Sequence, residues 1–354
     1  MGTMLIILSI LIASVSVYLL TVALIPGFVV PRQPLQKPRT SSDSHPTGGV
    51  GSRIDVSFGV KGTTVRAWLY IPREHFLPAP CVVMGPPLGA TRETGMEPFA
   101  ARFQEAGFVV VLPDYRHFGA SDGQPRQLAW IPFQVEDLTS AVAFARGRVE
   151  VDSGRVALWG SSLSAGHAIV IAARDPGIRC ICAQCPFLDG RAAALEGLKR
   201  FGILRGLRML PHGQRDYVRS WFGLSAHTIP AFGRSNTIAL LADSRAWEAI
   251  GKLAPPDFVN DICARILIRL DKYRPINHLR KVRCPVLLQM TNDEISLPGH
   301  HLDHARKWLG SLLEIVTYPV GHFDVYVGDG FQSSVEHQLA FFHKHLSSDT
   351  SDPV

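Results

Sequence analysis

The sequence predicts an α/β protein in which a mostly parallel sheet is covered by helices on both faces. Three observations carry this expectation. Short apolar strands alternate with amphipathic helices from residue 53 onward. The alternation breaks once, between Asp189 and Arg283, where Arg- and Leu-rich helical sequence intervenes. A turn of small residues around Ser162 joins one of the apolar strands directly to a helix.

The first element is an uncharged apolar stretch from Met4 to Ile25, with apolar character continuing to Val30. A helix needs about 20 such residues to cross the hydrocarbon core of a bilayer. A cleaved secretory signal calls for a positive segment, a shorter apolar run and a small-residue cleavage site. Here only the α-amino group precedes a long run, so residues 1–30 are expected to form a retained single-pass membrane anchor. Arg32, Lys37 and Arg39 follow it, and by the positive-inside rule they place the rest of the chain on the cytoplasmic side. Residues 31–51, rich in Pro, Ser, Thr and Gly, are expected to be a flexible linker.

A hairpin is predicted from Ile54–Phe58 and Thr64–Ile71 around Lys61-Gly62. Cys81–Gly85, Phe108–Pro113, Arg155–Gly160, Cys180–Cys185, Val286–Met290 and Leu313–Tyr318 are the remaining predicted strands. Helices are expected over Glu97–Glu105, Phe133–Arg146, Ser162–Arg174, His301–Leu309 and Val335–His345. The main domain is thus expected over residues 52–346. Residues 189–283 form a helical cap insertion broken by Pro211, Pro230, Pro255 and Pro256, and 347–354 form a disordered tail. A cap at the carboxyl ends of parallel strands lies where open α/β sheets bind ligands.

Composition narrows the function classes. Apolar residues make up 46% of the 354, enough for a deep core. The net charge of +6 is scattered in single Lys and Arg residues without a basic block, which leaves nucleic-acid binding unsupported. Six irregularly spaced cysteines point to a reducing compartment and away from a disulfide scaffold.

Chemistry concentrates in three loops. A nucleophile on a sharp strand-to-helix turn needs small residues two before and two after it. Gly160-Ser161-Ser162-Leu163-Ser164 satisfies this for Ser162, with Ser164 in the second small position. Ser161 would place Trp159 at the tight position, and Ser164 itself lies too far past the strand. Tyr318-Pro319-Val320-Gly321-His322 follows the last predicted strand, and His322 is the expected general base. Asp293 and Glu294, after the Val286–Met290 strand, are the candidate orienting acids, so the chain order is Ser, acid, His. The oxyanion donors expected are the backbone N–H groups of Leu163, which follows the nucleophile, and of Leu88, since Pro86 and Pro87 cannot donate.

Together these segments resemble the α/β-hydrolase superfamily, close to bacterial hydrolases and fungal polyketide-transferase-like proteins related to dienelactone hydrolases. The resemblance is carried by Gly89-Ala90-Thr91-Arg92, the run from Asp114 through Gly123, the Ser162 turn, Cys185-Pro186-Phe187 and Gly321-His322-Phe323-Asp324. It spans roughly residues 52–346 and implies the α/β-hydrolase fold. Three departures accompany it. Pro86-Pro87 stands where the family usually has His-Gly, and Ser164 replaces Gly. Counting back from Pro298 places the family's acid at Glu294, whereas residue type favours Asp293.

Other signals receive plainer readings. Cys180, Cys182 and Cys185 lie on a predicted core strand, where free cysteine behaves as a small hydrophobe. His300 and His304 are read as part of a solvated helix face, and Asp114 with Arg116 as an ion pair bracing a loop. The expected activity is cleavage of an ester, thioester or related acyl bond through an acyl-enzyme, with no metal or cofactor. The alternatives are acyl transfer to an alcohol, amine or thiol, and a non-catalytic membrane-tethered scaffold motivated by the Pro86-Pro87 turn. A small-molecule acyl substrate, which the anchor suggests is lipophilic, and the membrane are the expected partners.

Overall fold

Valine-rich runs that cannot face water on either side dictate a buried sheet, and the structure arranges them so. The computed structural model describes residues 2–25, 29–35, 51–73, 77–292 and 299–347. After helix α1 (Gly2–Leu24) come β1 (Ser52–Val60) and β2 (Thr63–Ile71), an antiparallel hairpin turned by Lys61 and Gly62 at positive φ. The core continues through β3 (Ala79–Gly85), α2 (Glu97–Glu105), β4 (Val109–Pro113), α3 (Ile131–Arg146), β5 (Val151–Ser161), α4 (Leu163–Ala172) and β6 (Ile178–Gln184).

An insertion follows: α5 (Gly190–Phe201), α6 (Ile203–Trp221), the two-residue strands β7 (Thr228–Ile229), β8 (Phe232–Gly233) and β9 (Leu241–Ala242), α7 (Ser244–Leu253) and β10 (Ile262–Cys263). Helix α8 (Ile276–Leu279), β11 (Val286–Thr291), α9 (Gly299–Leu309), β12 (Leu313–Tyr318) and α10 (Gly328–Leu346) complete the chain. The eight-stranded sheet has the order β1-β2-β4-β3-β5-β6-β11-β12. It is parallel from β4 to β12, with β2 antiparallel to both of its neighbours.

Alternation along single strands builds two cores. On β4, Val109 and Val111 face the cluster shared with α3 and α4, while Val110 and Leu112 face Phe99, Phe103 and Phe342 of α2 and α10. The register sets Gly85 beside Gly160 and Ser161 beside Gln184, so the strands that lead to the Leu88 and Ser162 turns finish at one edge. Beneath that edge a buried amide network fixes α10. Gln338 Nε2 donates to Gln184 and Gln289, and Trp159 Nε1 donates to Gln338 Oε1 at 3.0 Å. Such a fully paired network rigidifies the sheet end, where an unpaired member would carry a desolvation cost.

Several expectations are corrected. Helix α10 begins at Gly328, seven residues before Val335: its Gly- and Ser-rich first turns are poor helix formers, but burial of Phe331, Ser334 and Val335 overrides propensity. The insertion is helical only in part, since residues 228–242 form short extended pairs. Pro211 does not break the insertion but sits inside α6. The carbonyl it leaves without an i+4 donor belongs to exposed Leu207, where water can replace the lost partner, while the opposite face buries Met209, His212 and Asp216. Helix α1 stops at Leu24, before the expected boundary at residue 30, and Val22, Ala23 and Val30 are buried. Arg32, placed in the expected linker, is tied to Asp261 and Thr228 instead. Residues 36–50 and the tail from residue 348 lie outside the described residues.

Candidate active site

The turn at Ser162 joins a strand directly to a helix. Strand β5 ends at Ser161 and α4 begins at Leu163, leaving Ser162 alone to reverse the chain at φ 54°, ψ −116°. This is backbone that L-residues rarely adopt and that persists only where neighbours over-determine it. They do: Ser162 N–H donates to Gln184 O at 2.9 Å, and its carbonyl accepts from Ala165 N–H and Phe187 N–H. Gly160 has to be glycine, because a Cβ there would meet the Ser164 carbonyl oxygen at 2.3 Å. Ser162 is left partly accessible in the lining of a cavity of about 900 Å³. His322, Leu163 and Leu88 line the same cavity.

The structure separates the competing serines. Ser161 is fully buried, its hydroxyl 2.5 Å from that of Tyr326. Ser164 is buried too. Its hydroxyl donates to the carbonyl of Pro86, and therefore accepts from Tyr115 OH at 2.7 Å. That bond explains two departures in the sequence as one device. A turn built from Pro86-Pro87 has lost two N–H groups, and the hydroxyl at position 164, where a glycine has none, grips the turn through its carbonyl. Gly85 is required at the same point, since a Cβ would press on Tyr115 OH at 2.7 Å and Ser164 Cβ at 2.8 Å. The function of Ser164 and Tyr115 was missed from sequence, although a hydroxyl in a position that needs only smallness was the available signal.

Leu163 is the first residue of α4, so its N–H has no acceptor within the helix and sits at the positive end of the helix dipole. The turn that carries Leu88 is held further along by a buried carboxylate. Asp114 accepts from Arg92 N–H at 2.8 Å and from Ala120 N–H at 3.0 Å, with Arg92 Nε 3.4 Å away. Burial pushes the Asp114 carboxyl up, and these partners oppose the shift. The expected Asp114–Arg116 pair is corrected: Arg116 pairs with Asp137 and Glu136 of α3. The loop is thus braced through Asp114 to Arg92 and through Arg116 to two carboxylates of α3, with no pair between Asp114 and Arg116 themselves.

On the other side of Ser162, the His322 loop leaves β12. Asp324 accepts from Gly321 N–H at 2.9 Å and closes the loop on itself. Asn292 N–H donates to Val320 O at 3.2 Å, so the chain leaving β11 runs beside the His322 loop at the point where the acid candidates begin. Asp293 and Glu294 themselves lie outside the described residues. His167, five residues past Ser162, is fully buried with both ring nitrogens engaged by Tyr273 and Gln134. Burial lowers its pKa to about 3, so it stays neutral and away from the cavity chemistry.

The remaining signals also have places. Cys180 and Cys182 are buried on β6, and Cys185 follows it at positive φ. His304 is exposed and stacks on Trp308, while the side chain of His300 lies outside the described residues. Among the described residues no group of three His, Cys, Asp or Glu side chains could hold a metal ion.

Sheet order, sharp turn and cap define the class: an α/β-hydrolase fold. A family model described as X-Pro dipeptidyl-peptidase (S15 family) matches residues 61–201. The quorum-quenching protein AidA of Acinetobacter baumannii is 31% identical over 297 residues, covering 82% of this chain and 94% of that protein. Polyketide transferase ATR5 of Stachybotrys chlorohalonatus is 35% identical over 309 residues, covering 84% and 99%. The crystal structure of the α/β hydrolase GrgF from Penicillium sp. sh18 superposes with a TM-score of 0.68 at 23% identity, over 83% of this chain and 99% of that one. The chain belongs to the α/β-hydrolase superfamily, among its polyketide-transferase-like members, a group of hydrolases and acyltransferases.

Proposed function

We propose that the chain is a membrane-anchored serine hydrolase that cleaves an ester or thioester of a lipophilic acyl group. The observation that carries this reading is Ser162, held at positive φ in the wall of a cavity that His322 also lines. In this mechanism His322 takes the proton of Ser162 as its oxygen attacks the acyl carbonyl. Glu294 or Asp293 keeps the imidazole oriented. The N–H groups of Leu163 and Leu88 receive the oxyanion, and the clamp from Ser164 to Pro86 keeps the second donor in place. Collapse of the tetrahedral intermediate expels the alcohol or thiol, protonated by His322. Water then attacks the acyl-enzyme by the same route and releases the acid.

A predominantly apolar lining supports a lipophilic acyl chain, because apolar walls with a few convergent polar groups are what such ligands require. The likeness to a polyketide transferase supports a second reading, in which an alcohol, amine or thiol replaces the water. For the anchor, α1 is long and apolar enough to cross a bilayer. Retention is supported by its last turn, where Val22 and Ala23 are buried and Arg215 and Arg219 donate to the carbonyls of Val22, Ala23 and Ile25. These arginines join Arg32 at the carboxyl end of the helix, which favours a cytoplasmic body.

A fluorophosphonate probe tests the chemistry. The expected result is a single labelled peptide carrying the adduct on Ser162, with labelling and turnover lost in Ser162→Ala by about 10⁴-fold or more. Folded wild-type protein that takes no label would overturn the hydrolase reading in favour of a non-catalytic scaffold.

A further inference from the structure

The insertion carries an apolar surface that the chemistry above does not use. Helices α5 and α6 meet at Gly202, which turns the chain at φ 81°. The two helices pack closely enough that a Cβ on Gly206 would meet Leu198 at 2.9 Å. At this corner Leu195, Leu198, Ile203, Leu204 and Leu207 are exposed by 42–69%. A soluble surface rarely gathers so many large aliphatic side chains without something to cover them.

Two features say what covers them. First, α6 is the helix to which α1 is fastened. Tyr18 OH donates to Gln214 at 2.8 Å, Arg215 donates to the Val22 and Ile25 carbonyls, and Arg219 to that of Ala23. Leu204, Leu207, Pro211, Gln214 and Arg215 recur at helical spacing on one face, so the exposed leucines continue the face that holds α1. Arg215 lies eleven positions beyond Leu204, about 16 Å along the helix. The rest of α1, from Met4 to Val17, presents its side chains outward. A bilayer that takes in this segment has its surface at the carboxyl end of α1, within reach of the α5–α6 corner. Second, the corner is the mouth of the catalytic cavity. Leu198, Phe201, Ile203, Leu207 and Leu210 are exposed and line the cavity at once. Lys199, Arg200 and Arg208 flank the corner, which suits a surface of lipid headgroups.

We infer that the α5–α6 corner lies in the bilayer surface and admits the acyl chain of the substrate directly from the lipid phase into the cavity above Ser162. Water then never has to solvate the chain on its way to the site. The inference rests on the anchor reading of α1 and on the hydrolase reading of the cavity, and its test separates all three.

Full-length protein is reconstituted in phosphatidylcholine vesicles with a single environment-sensitive fluorophore on an introduced cysteine: Leu207→Cys at the corner, Val15→Cys within α1, or Val149→Cys at the far end of the sheet. The native cysteines are buried, which directs the label to the new thiol. The expected result is emission at 207 and 15 that is blue-shifted and quenched by lipids with a nitroxide on the acyl chain, with 149 unchanged. Quenching at 15 but not at 207 overturns the inference and leaves the anchor standing. Quenching at neither overturns both. A blue shift at 207 that depends on protein density and resists lipid quenching assigns the corner to a second copy of the chain and also overturns it. As a functional arm, Leu195→Asp/Leu204→Asp lies outside the cavity lining. It is expected to cut hydrolysis of a vesicle-embedded long-chain thioester about tenfold while a short soluble thioester is turned over at the wild-type rate. Equal losses on both substrates overturn the inference; a wild-type chain that turns over neither substrate and takes no fluorophosphonate label overturns the hydrolase reading, and with it the entry of an acyl substrate, whatever the quenching at 207.

Discussion

The sheet end around Ser162 and the helical insertion above it are built on opposite principles. Around Ser162 nearly every polar group is engaged and small residues are forced: Gly85, Gly160 and Ser164 leave no room for alternatives. In the insertion, α5 and α6 leave leucines in the open and are secured to the rest at a few charged points. Catalysis needs donors held to within a fraction of an ångström, which packing and paired backbone groups provide. A substrate entrance needs an apolar surface that can be covered or uncovered, which a rigid core cannot offer.

The largest expected effect separates the two regions. Asp216 of α6 is fully buried and accepts from Arg265 Nε at 2.6 Å, Arg265 Nη2 at 3.0 Å, Arg265 N–H and His227 N–H. Asp216→Asn leaves the Arg265 charge uncompensated and should destabilise the insertion by about 3 kcal/mol. Hydrogen exchange should rise across α6 and residues 264–268 while β3, β5 and β6 stay protected, and fluorophosphonate labelling of Ser162 should persist. Uniform loss of protection would show that the two regions unfold as one unit and break the comparison.

A smaller effect lies at their junction. Asp189 caps α5 through the N–H groups of Arg191 and Ala192, and its other oxygen meets Arg274 at 2.8 Å and His301 at 3.1 Å. Burial works to raise this carboxyl, but Arg274, the Ala192 N–H and His301 together hold it below its ordinary value. A depressed acid contributes stability that is complete above its unfolded value of about 3.9 and is lost as pH falls through the folded value. Asp189→Asn should therefore cost about 2 kcal/mol at neutral pH, and the difference from wild type should shrink in acid. Urea titrations at pH 7 and pH 3 check this; a gap independent of pH would rule out the ionic contribution.

The smallest effect sharpens the claim about rigidity. Ser164→Ala keeps the packing but removes the donor to Pro86 O, and kcat is expected to fall about tenfold with KM little changed, a loss of transition-state stabilisation near 1.4 kcal/mol. A fall confined to KM would move Ser164 from positioning the oxyanion turn to binding substrate.

Legibility in the sequence followed the range of the forces involved. The strands, the hairpin and the turn at Ser162 were readable because hydrophobic period and residue size act within a few neighbours. The start of α10 was not, since Phe331 and Val335 earn their helical state only by packing against distant aromatic residues. Pro211 misled for the same reason: its cost is local, but the compensation comes from the buried face of α6.

By itself the sequence determined the α/β alternation, the small-residue turn that isolates Ser162, the Gly-His loop after the last strand and an apolar segment of membrane-spanning length. These are properties of backbone sterics, periodicity and composition, which need no partner in space. Only the tertiary structure decided that Ser164 serves the Pro86-Pro87 turn, that Asp114 and Arg116 belong to separate pairs, and that α1 is fastened to the helix bordering the cavity. Each of these joins residues far apart in the chain, and a hydrogen bond between such residues is set by the packing that brings them together.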